Sequence, residues 1–495
     1  MKKQALNPYL PIDTYIPDGE PHVFGKRVYI FGSHDKEDGE QYCMLDYEVW
    51  SAPVDDPGNW TCHGISYRSS QDPACDEQHR YMYAPDVVQG NDGKYYLYYA
   101  LAYPKFTSPI HAAVSEKPEG PYEYYGVVKT EDGKIFERNV TFDPGLINDN
   151  GTIRMYYGWA MASPQIAGIS KEQREQMRPM LQMAERKLLD KTEEQIECEK
   201  EGIQGAFVVT IADDMLTVLS EPKKILPGQF DAAGTEFQGH AFFEASSIRK
   251  IGSKYYFIYS SEVNHELCYA VSDMPDENFH YKGVIISNGD IGLNGRKAED
   301  RVAATGNNHG SIECINGQWY VFYHRHTHKS SYSRQGCAEK IEISESGEIK
   351  QVEMTSCGLN GRPLKAEWVY PAVIACNLTN GHMPHMGADK TDADIPYITS
   401  QGEERYITNI RQETRIVYKY FNLSGRTQIK VKYRLCGEGS FLIQTDTGET
   451  GKILLREENG NDWNTAETSV AGNGKTALTF IFEGTGNADL LELEF

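Results

Sequence analysis

The sequence predicts an all-β chain: a five-bladed β-propeller followed by an antiparallel β-sandwich, with a helical insertion around residues 168–202. Two observations carry the expectation. Five segments repeat one strand pattern, GKRVYIFGS (25–33), DGKYYLYYA (92–100), NGTIRMYYGW (150–159), GSKYYFIYSS (252–261) and NGQWYVFYH (316–324). The repeat then stops near residue 370, and short strand-like runs continue to the end.

Each repeat opens on a Gly-containing turn and enters an aromatic or β-branched run, the pattern of a hairpin leading into a strand. Aligning Tyr29, Tyr96, Met155, Tyr256 and Tyr320 gives spacings of 67, 59, 101 and 64 residues. A unit of about sixty residues holds four strands with their loops, which is one propeller blade. A long sandwich whose strands share aromatic composition is the competing architecture. The 101-residue spacing contains SKEQREQMRPMLQMAERKLLDKTEEQIECEKEG (170–202). Ser170 and Gln173 form a capping box there, and Pro179 is expected to break or restart the helix. Met180, Met183, Ala184 and Leu188 recur at helical spacing and are expected to pack on the body. A substrate lid is the other reading of this excursion.

The propeller is expected over 1–368 and the sandwich over 369–495. In the second part YKYFNL, TQIKVKYRL, FLIQTD, TALTFIF and LLELEF read as short strands, separated by turns such as CGEG, DTGETG and GNG. Ile429, Val431, Tyr433 and Leu435 alternate as a half-buried strand should.

The formal charge of −22, from 71 acidic and 49 basic residues, argues against a nucleic-acid or anionic-membrane partner. No run approaches the roughly 18–20 apolar residues of a membrane span, and MKKQALNPYLPID lacks the apolar core of a secretory signal. The 10 cysteines form no CxxC pair, which fits free thiols in a reducing compartment and predicts a cytoplasmic protein.

A second regularity lies upstream of the repeated strands. Asp18, Asp86, Asp143, Glu244 and His309 stand 11, 10, 12, 12 and 11 residues before the aligned positions. Equivalent positions on successive blades form a ring, so these five groups are expected to converge at one mouth of the axial channel. Crowded carboxyls there would raise some pKa values and keep others ionised, as acid–base chemistry requires. Each has a plainer reading. Asp86 after Pro85, Asp143 before Pro144 and Asp18 before Gly19 all suit turns, and Glu20 competes with Asp18. His309 serves equally as a ligand of an axial cation or water and as a satisfied core histidine. Glu244, beside Phe242 and Phe243, has little turn chemistry around it.

At these residues residues 7–375 resemble glycoside hydrolase family 43. The likeness rests on YAPD with DGKYYLYY, the DPG segment, EASSIRK with YYFIYS, and GNNHGSI with WYVFYH. It implies an inverting glycosidase that releases terminal α-L-arabinofuranosyl or β-D-xylosyl units from arabinoxylan fragments or xylo-oligosaccharides. By that resemblance Asp18 is the general base, Glu244 the general acid and Asp143 the group that tunes and orients the acid. The family's usual Asp-Pro at the first position is Asp18-Gly19 here, with Glu20 as the alternative. Inversion needs the two carboxyls about 6.5–9.5 Å apart, with room for a water. The resemblance further implies Arg334 as a sugar-binding residue, with a surface salt bridge as its plainer reading; Asp86 is expected to bind substrate, and Trp159 and Tyr83 to stack on sugar, while most other aromatics are expected in the core. The resemblance requires no cofactor and allows a calcium ion near the axis, at His309. YKYFNLSG, DWNTAE and GNADLLELEF resemble carbohydrate-binding module family 6. A β-xylosidase, a non-catalytic glycan-binding propeller and a retaining propeller glycosidase are the alternatives. The last would carry a first-blade Asn-Asp-Pro-Asn motif, which is absent.

Overall fold

The computed structural model describes residues 4–104, 108–199, 202–385, 394–457 and 462–495. Five antiparallel blades follow in chain order. Blade one holds Glu20–Phe24, Arg27–Phe31, Tyr47–Pro53 and Thr61–Tyr67; blade two holds Asp86–Gln89, Tyr95–Pro104, Ile110–Ser115 and Glu123–Val127. Blade three is built on Gly145–Asp149, Thr152–Trp159, Gly205–Ile211 and Lys223–Pro227. Phe242–Ile251, Lys254–Ser261, Glu266–Ser272 and His280–Ser287 form blade four, and Ile312–Ile315, Gln318–His326 and Arg334–Lys340 form blade five. The five repeated runs are the second strands of their blades. The strand before each is innermost.

The aromatic runs are core, because side chains alternate between the two faces of a blade. Val28 and Ile30 face blade five while Tyr29 and Phe31 face blade two; Leu97 and Tyr99 look back to blade one while Tyr96 and Tyr98 look on to blade three. Five buried clusters fill the five gaps between neighbouring blades. Around the axis, polar contacts stitch the inner strands. His22 pairs with Asp86 (2.6 Å), which accepts the Leu146 amide (2.6 Å). Glu20 takes Arg249 (2.7 Å) and Ser247 (3.0 Å), and Ser247 meets Ser311 (2.6 Å). Gly145 is needed where blades three and four touch, since a Cβ there would sit 2.3 Å from the Ser246 carbonyl oxygen.

The ring closes through the N-terminal segment. A parallel bridge joins Gly19 to Gly310, and Tyr9 N–H donates to the Gly336 carbonyl on the outer strand of blade five (3.2 Å). Buried Asn7 donates to the carbonyls of Ala338 and Thr355 and to Glu339, and accepts the Ala338 amide.

The helical insertion leaves blade three between Thr152–Trp159 and Gly205–Ile211, as Pro164–Ala167, Lys171–Leu188 and Glu193–Cys198. Residues 200–201 of the expected insertion lie outside the described residues. The Ser170–Gln173 capping box is present. Two expectations are corrected. The helix does not break at Pro179, which sits on its exposed face where the carbonyl it leaves unpaired can meet water. Nor do Met180, Met183 and Leu188 pack inward: they are 67%, 70% and 59% exposed. The side chains the helix buries are polar. Arg174 donates to the carbonyls of Ile166, Ile169 and Gln229, and Glu185 accepts from Gln204 (2.7 Å).

After blade five one ten-stranded sheet curls around a single apolar core, so its two layers face each other. Two strands expected to be separate, YKYFNL and TQIKVKYRL, are halves of one strand, Arg415–Cys436. It pairs along its length with Asn464–Gly484, and GNG lies within that partner, not in a turn. Gly425 (φ +69°) and Gly474 (φ +74°) let both strands bend instead of ending. Ile429, Val431, Tyr433 and Leu435 are buried as the alternation predicts. Leu364–Lys365 also pairs with this sheet, at Phe421 and Asn422.

Replacing Asn7 with Ala leaves the blade-five groups it serves without partners and is expected to cost about 2–3 kcal/mol of stability. Chemical denaturation monitored by tryptophan fluorescence measures this.

Candidate active site

Asp18, Asp143, Glu244 and His309 sit at or just before the inner strands of blades one, three, four and five. They meet on one cavity of about 200 Å³, lined also by Tyr42, Cys43, Tyr83, Ala84, Phe142, Asn307 and Arg334. The backbone aims these groups by local departures from extended geometry. Asp18 (φ +55°), Asp143 (φ +45°) and Ala245 (φ +69°) all adopt left-handed conformations, and the blade-four ladder slips on both sides of Glu244. Such conformations cost about 1–3 kcal/mol each for residues with a Cβ, and they cluster here.

Two carboxyls of the cavity hold opposite protonation states. Burial would push the Asp18 carboxyl up, but Arg334, His324 and His309 together outweigh it and hold Asp18 well below the usual carboxylate range. Arg334 Nη1 lies 2.8 Å from Asp18 Oδ1, and His324 Nδ1 lies 3.1 Å from it. Glu244 goes the other way, pushed up to about 8 by burial and then by the charge of Asp18; Arg334, Asn307 and Trp159 offset part of the rise. Asp143 is also raised, by burial and then by the charges of Glu244 and Asp18. Asp143 and Glu244 therefore retain a proton between them at neutral pH. Asp143 accepts the Ala245 amide (2.9 Å), which offsets part of its rise. Glu244 also keeps part of its surface open to the cavity, whereas both aspartates are buried.

Several expected residues take different parts. Arg334 lines the cavity, is fully buried, and gives three of its five N–H donors to Asp18 and, in a two-pronged pair, to Asp35 (2.8 and 2.9 Å). It holds the base in its charged form and still lines the cavity. Asp86 does not reach the cavity: one oxygen pairs with His22 and the other takes the Leu146 amide. Glu20, the alternative base, is likewise turned away and paired with Arg249. Trp159 is not a wall of the cavity; it hydrogen-bonds Glu244, its ring against Phe243. Phe242 is not what shields Glu244, for its ring lies in the blade-four core against Phe257 and Tyr259. Tyr83 lines the cavity as expected.

His309 stands with Nδ1 3.6 Å from Asp143 and 4.0 Å from Asp18, and burial lowers its pKa to about 4, so it is neutral. Among the described residues, two groups place three ligand atoms of His, Cys, Asp or Glu within 4.8 Å of one another, and His309 belongs to neither. Calcium takes roughly six to eight oxygens, so the protein atoms at His309 do not make a calcium cage. Sequence reasoning missed Asp35, Tyr42, Asn307 and His324. His324 closes the WYVFYH run and Asn307 is the second residue of GNNHGSI, but nothing in either run marks those side chains as turned inward.

Comparison with known proteins follows the same line. Residues 13–201 match the family described as Glycosyl hydrolases family 43. A xylosidase/arabinosidase from Thermoclostridium stercorarium is 42% identical over 507 residues, spanning 99% of this chain and 98% of that protein. The chain belongs to glycoside hydrolase family 43. Another relative, a xylosidase/arabinosidase from Bacteroides ovatus, is 30% identical over 64% of this chain and 87% of its own length. A β-xylosidase/α-arabinofuranosidase from a compost metagenome was solved with xylotriose in a calcium-free form. It superposes with a TM-score of 0.52 at 25% identity, covering 71% of this chain and 98% of that one. This chain is accordingly a glycoside hydrolase with a five-bladed propeller.

The raised pKa of Glu244 makes a stability prediction whose sign is fixed. Its proton binding favours the folded state at acid pH, and that contribution is lost as pH rises through about 8. The stability of Glu244→Gln relative to the parent protein should therefore increase from pH 5 to pH 9. Urea denaturation at the two pH values checks it.

Proposed function

We propose that this enzyme is an inverting exo-glycosidase that removes terminal α-L-arabinofuranosyl or β-D-xylosyl units from hemicellulose-derived oligosaccharides. Arabinofuranosyl release is the leading activity and β-xylosidase the alternative. One observation carries this reading: an ionised Asp18 and a proton-retaining Glu244 share one small cavity. Its volume of about 200 Å³ suits one sugar ring, below the ~300–1,000 Å³ of typical ligand clefts. That supports terminal attack.

In the proposed reaction Asp18 takes a proton from a water as its oxygen bonds to the anomeric carbon. Glu244 gives its proton to the departing glycosidic oxygen as the carbon–oxygen bond breaks. Asp143 holds the backbone beside Glu244 through the Ala245 amide. Tyr83 and Phe142 wall the ring site, and Trp159 fixes the Glu244 carboxyl. No step needs a metal; a calcium ion near the axis would be held chiefly by water. A non-catalytic glycan-binding propeller is disfavoured because all three carboxyls are present and tuned.

The proposed substrates are arabinoxylan fragments and xylo-oligosaccharides reached in the cytoplasm. Among the described residues no helix is long and apolar enough to cross a membrane. We divide the chain into a catalytic propeller over about 1–368, of which residues 1–3 lie outside the described residues, and a carbohydrate-binding-module-like domain over 369–495. Sugar stacking on that second domain has little support at Trp463. Arg434 lies 4.0 Å over its ring, and the indole N–H goes to Glu404.

Asp18→Asn should abolish turnover on every substrate. Glu244→Gln should lose about 10²–10⁴-fold on xylo-oligosaccharides and far less on nitrophenyl glycosides, whose leaving group needs no proton. Steady-state assays on both substrate types read this out. The parent enzyme's kcat/KM should fall at alkaline pH with a midpoint near the Glu244 value of about 8. Proton NMR of the first-formed sugar should show the anomer opposite to that of the substrate; retention would remove Asp18 from the role of base.

A further inference from the structure

The side of the cavity formed by Tyr42, Cys43 and Arg334 is not built by inner strands. Tyr42 and Cys43 come from a loop, residues 34–46 in blade one, and Arg334 opens the last strand of blade five directly after a second loop, residues 327–333. The first loop carries Asp35, which grips Arg334 with two hydrogen bonds, and Tyr42, whose ring lies 4.7 Å from the Arg334 guanidinium. The two loops join where Asp38 N–H donates to Ser333 (2.9 Å). Asp35 in turn donates its amide to the Tyr15 carbonyl and takes the Cys43 amide.

Both loops are held from outside the propeller. The first hairpin of the C-terminal sheet, Tyr397–Gln401 with Glu404–Ile410, sits on them. Arg405 Nη2 donates to Glu37 Oε2 (2.7 Å), and the other Glu37 oxygen accepts the Tyr15 hydroxyl (2.6 Å). The Ile398 amide donates to the Thr327 carbonyl (3.2 Å), and Lys329 lies 5.0 Å over the Tyr397 ring. His328, in the second loop, faces Glu37 at 3.5 Å and Asp38 at 3.7 Å. Isolated surface ion pairs contribute little. Arg405 and Glu37 differ from those: their side chains keep 12% and 22% of their exposure, and Glu37 is met from three elements. Burial pushes the Glu37 carboxyl up, but His328, Tyr15 and Arg405 together hold it down at about 2, so it stays charged across the working range.

We infer that this hairpin belongs to the catalytic apparatus, and that Arg405 is a positioning residue acting through Glu37 on the loop that frames Arg334 and Asp18. The C-terminal sheet then serves the active site directly, whether or not it binds sugar. The inference rests on the reading of Asp18 as the base. A contact that only joined two domains would alter stability and leave the chemistry alone. A contact that sets the aim of Asp35 alters Arg334, and through it the ionisation of Asp18.

The test compares Arg405→Ala, Arg405→Lys, Glu37→Gln and the reversed pair E37R/R405E in the full chain, with Asp18→Asn alongside. Arg405→Ala and Glu37→Gln should lower kcat/KM about tenfold, mostly in kcat, and move the acid limb of the pH profile towards neutrality. Arg405→Lys and the reversed pair should recover part of both. The inference is overturned if kcat/KM and the acid limb stay within about twofold of the parent while only the melting temperature falls. Glu37→Gln, close to isosteric, decides the matter should Arg405→Ala not fold. An active Asp18→Asn would remove the underlying reading of the base, whereas an inactive one with indifferent loop variants removes only the role of Arg405.

Discussion

The buried guanidinium of Arg334 is the constraint on which the site turns. A carboxylate taken out of water is unfavourable unless an opposite charge and hydrogen bonds replace the solvent. Asp18 has both, from Arg334 and His324. Because Asp18 stays charged, the next carboxyls in the same cavity meet a negative neighbour on top of their own burial. They hold a proton. One cation thus sorts the crowded acids of the ring into a base and an acid, the division that glycoside cleavage needs.

The propeller makes that sorting feasible. Its five inner strands start side by side, so residues hundreds of positions apart share one opening. A lower layer of polar contacts, His22–Asp86 and Glu20–Arg249 among them, ties the same strands together. Packing between blades comes from the tyrosine-rich second strands, which hold the inner strands in place without joining the chemistry. The left-handed residues at Asp18, Asp143 and Ala245 then turn individual side chains into the opening. Leu189 and Ile203 extend the support from the helical insertion, packing with Phe142 behind the cavity wall.

Much of this was legible in the sequence. The repeat gave the blade count because a Gly turn followed by aromatic alternation survives in every copy. The ring positions were legible because one residue per blade keeps its offset from that strand. What the sequence hid depends on partners distant in the chain. Only its distances to Asp35 and Asp18 show that Arg334 holds the base. Asp86 kept the ring spacing, yet its oxygens face the polar layer below. Helical spacing made Met180 and Met183 look like core, since periodicity marks a face without saying which face is covered. GNG read as a chain reversal, though glycine at positive φ also bends a strand that continues.

The central claim is that Glu244 carries a proton while Asp18 does not. Infrared difference spectroscopy of the free enzyme at pH 6, comparing the parent with Glu244→Gln and Asp18→Asn, reads both groups directly. The account predicts that a protonated-carboxyl band disappears in Glu244→Gln and survives in Asp18→Asn. Loss of that band in Asp18→Asn, with none lost in Glu244→Gln, would contradict it.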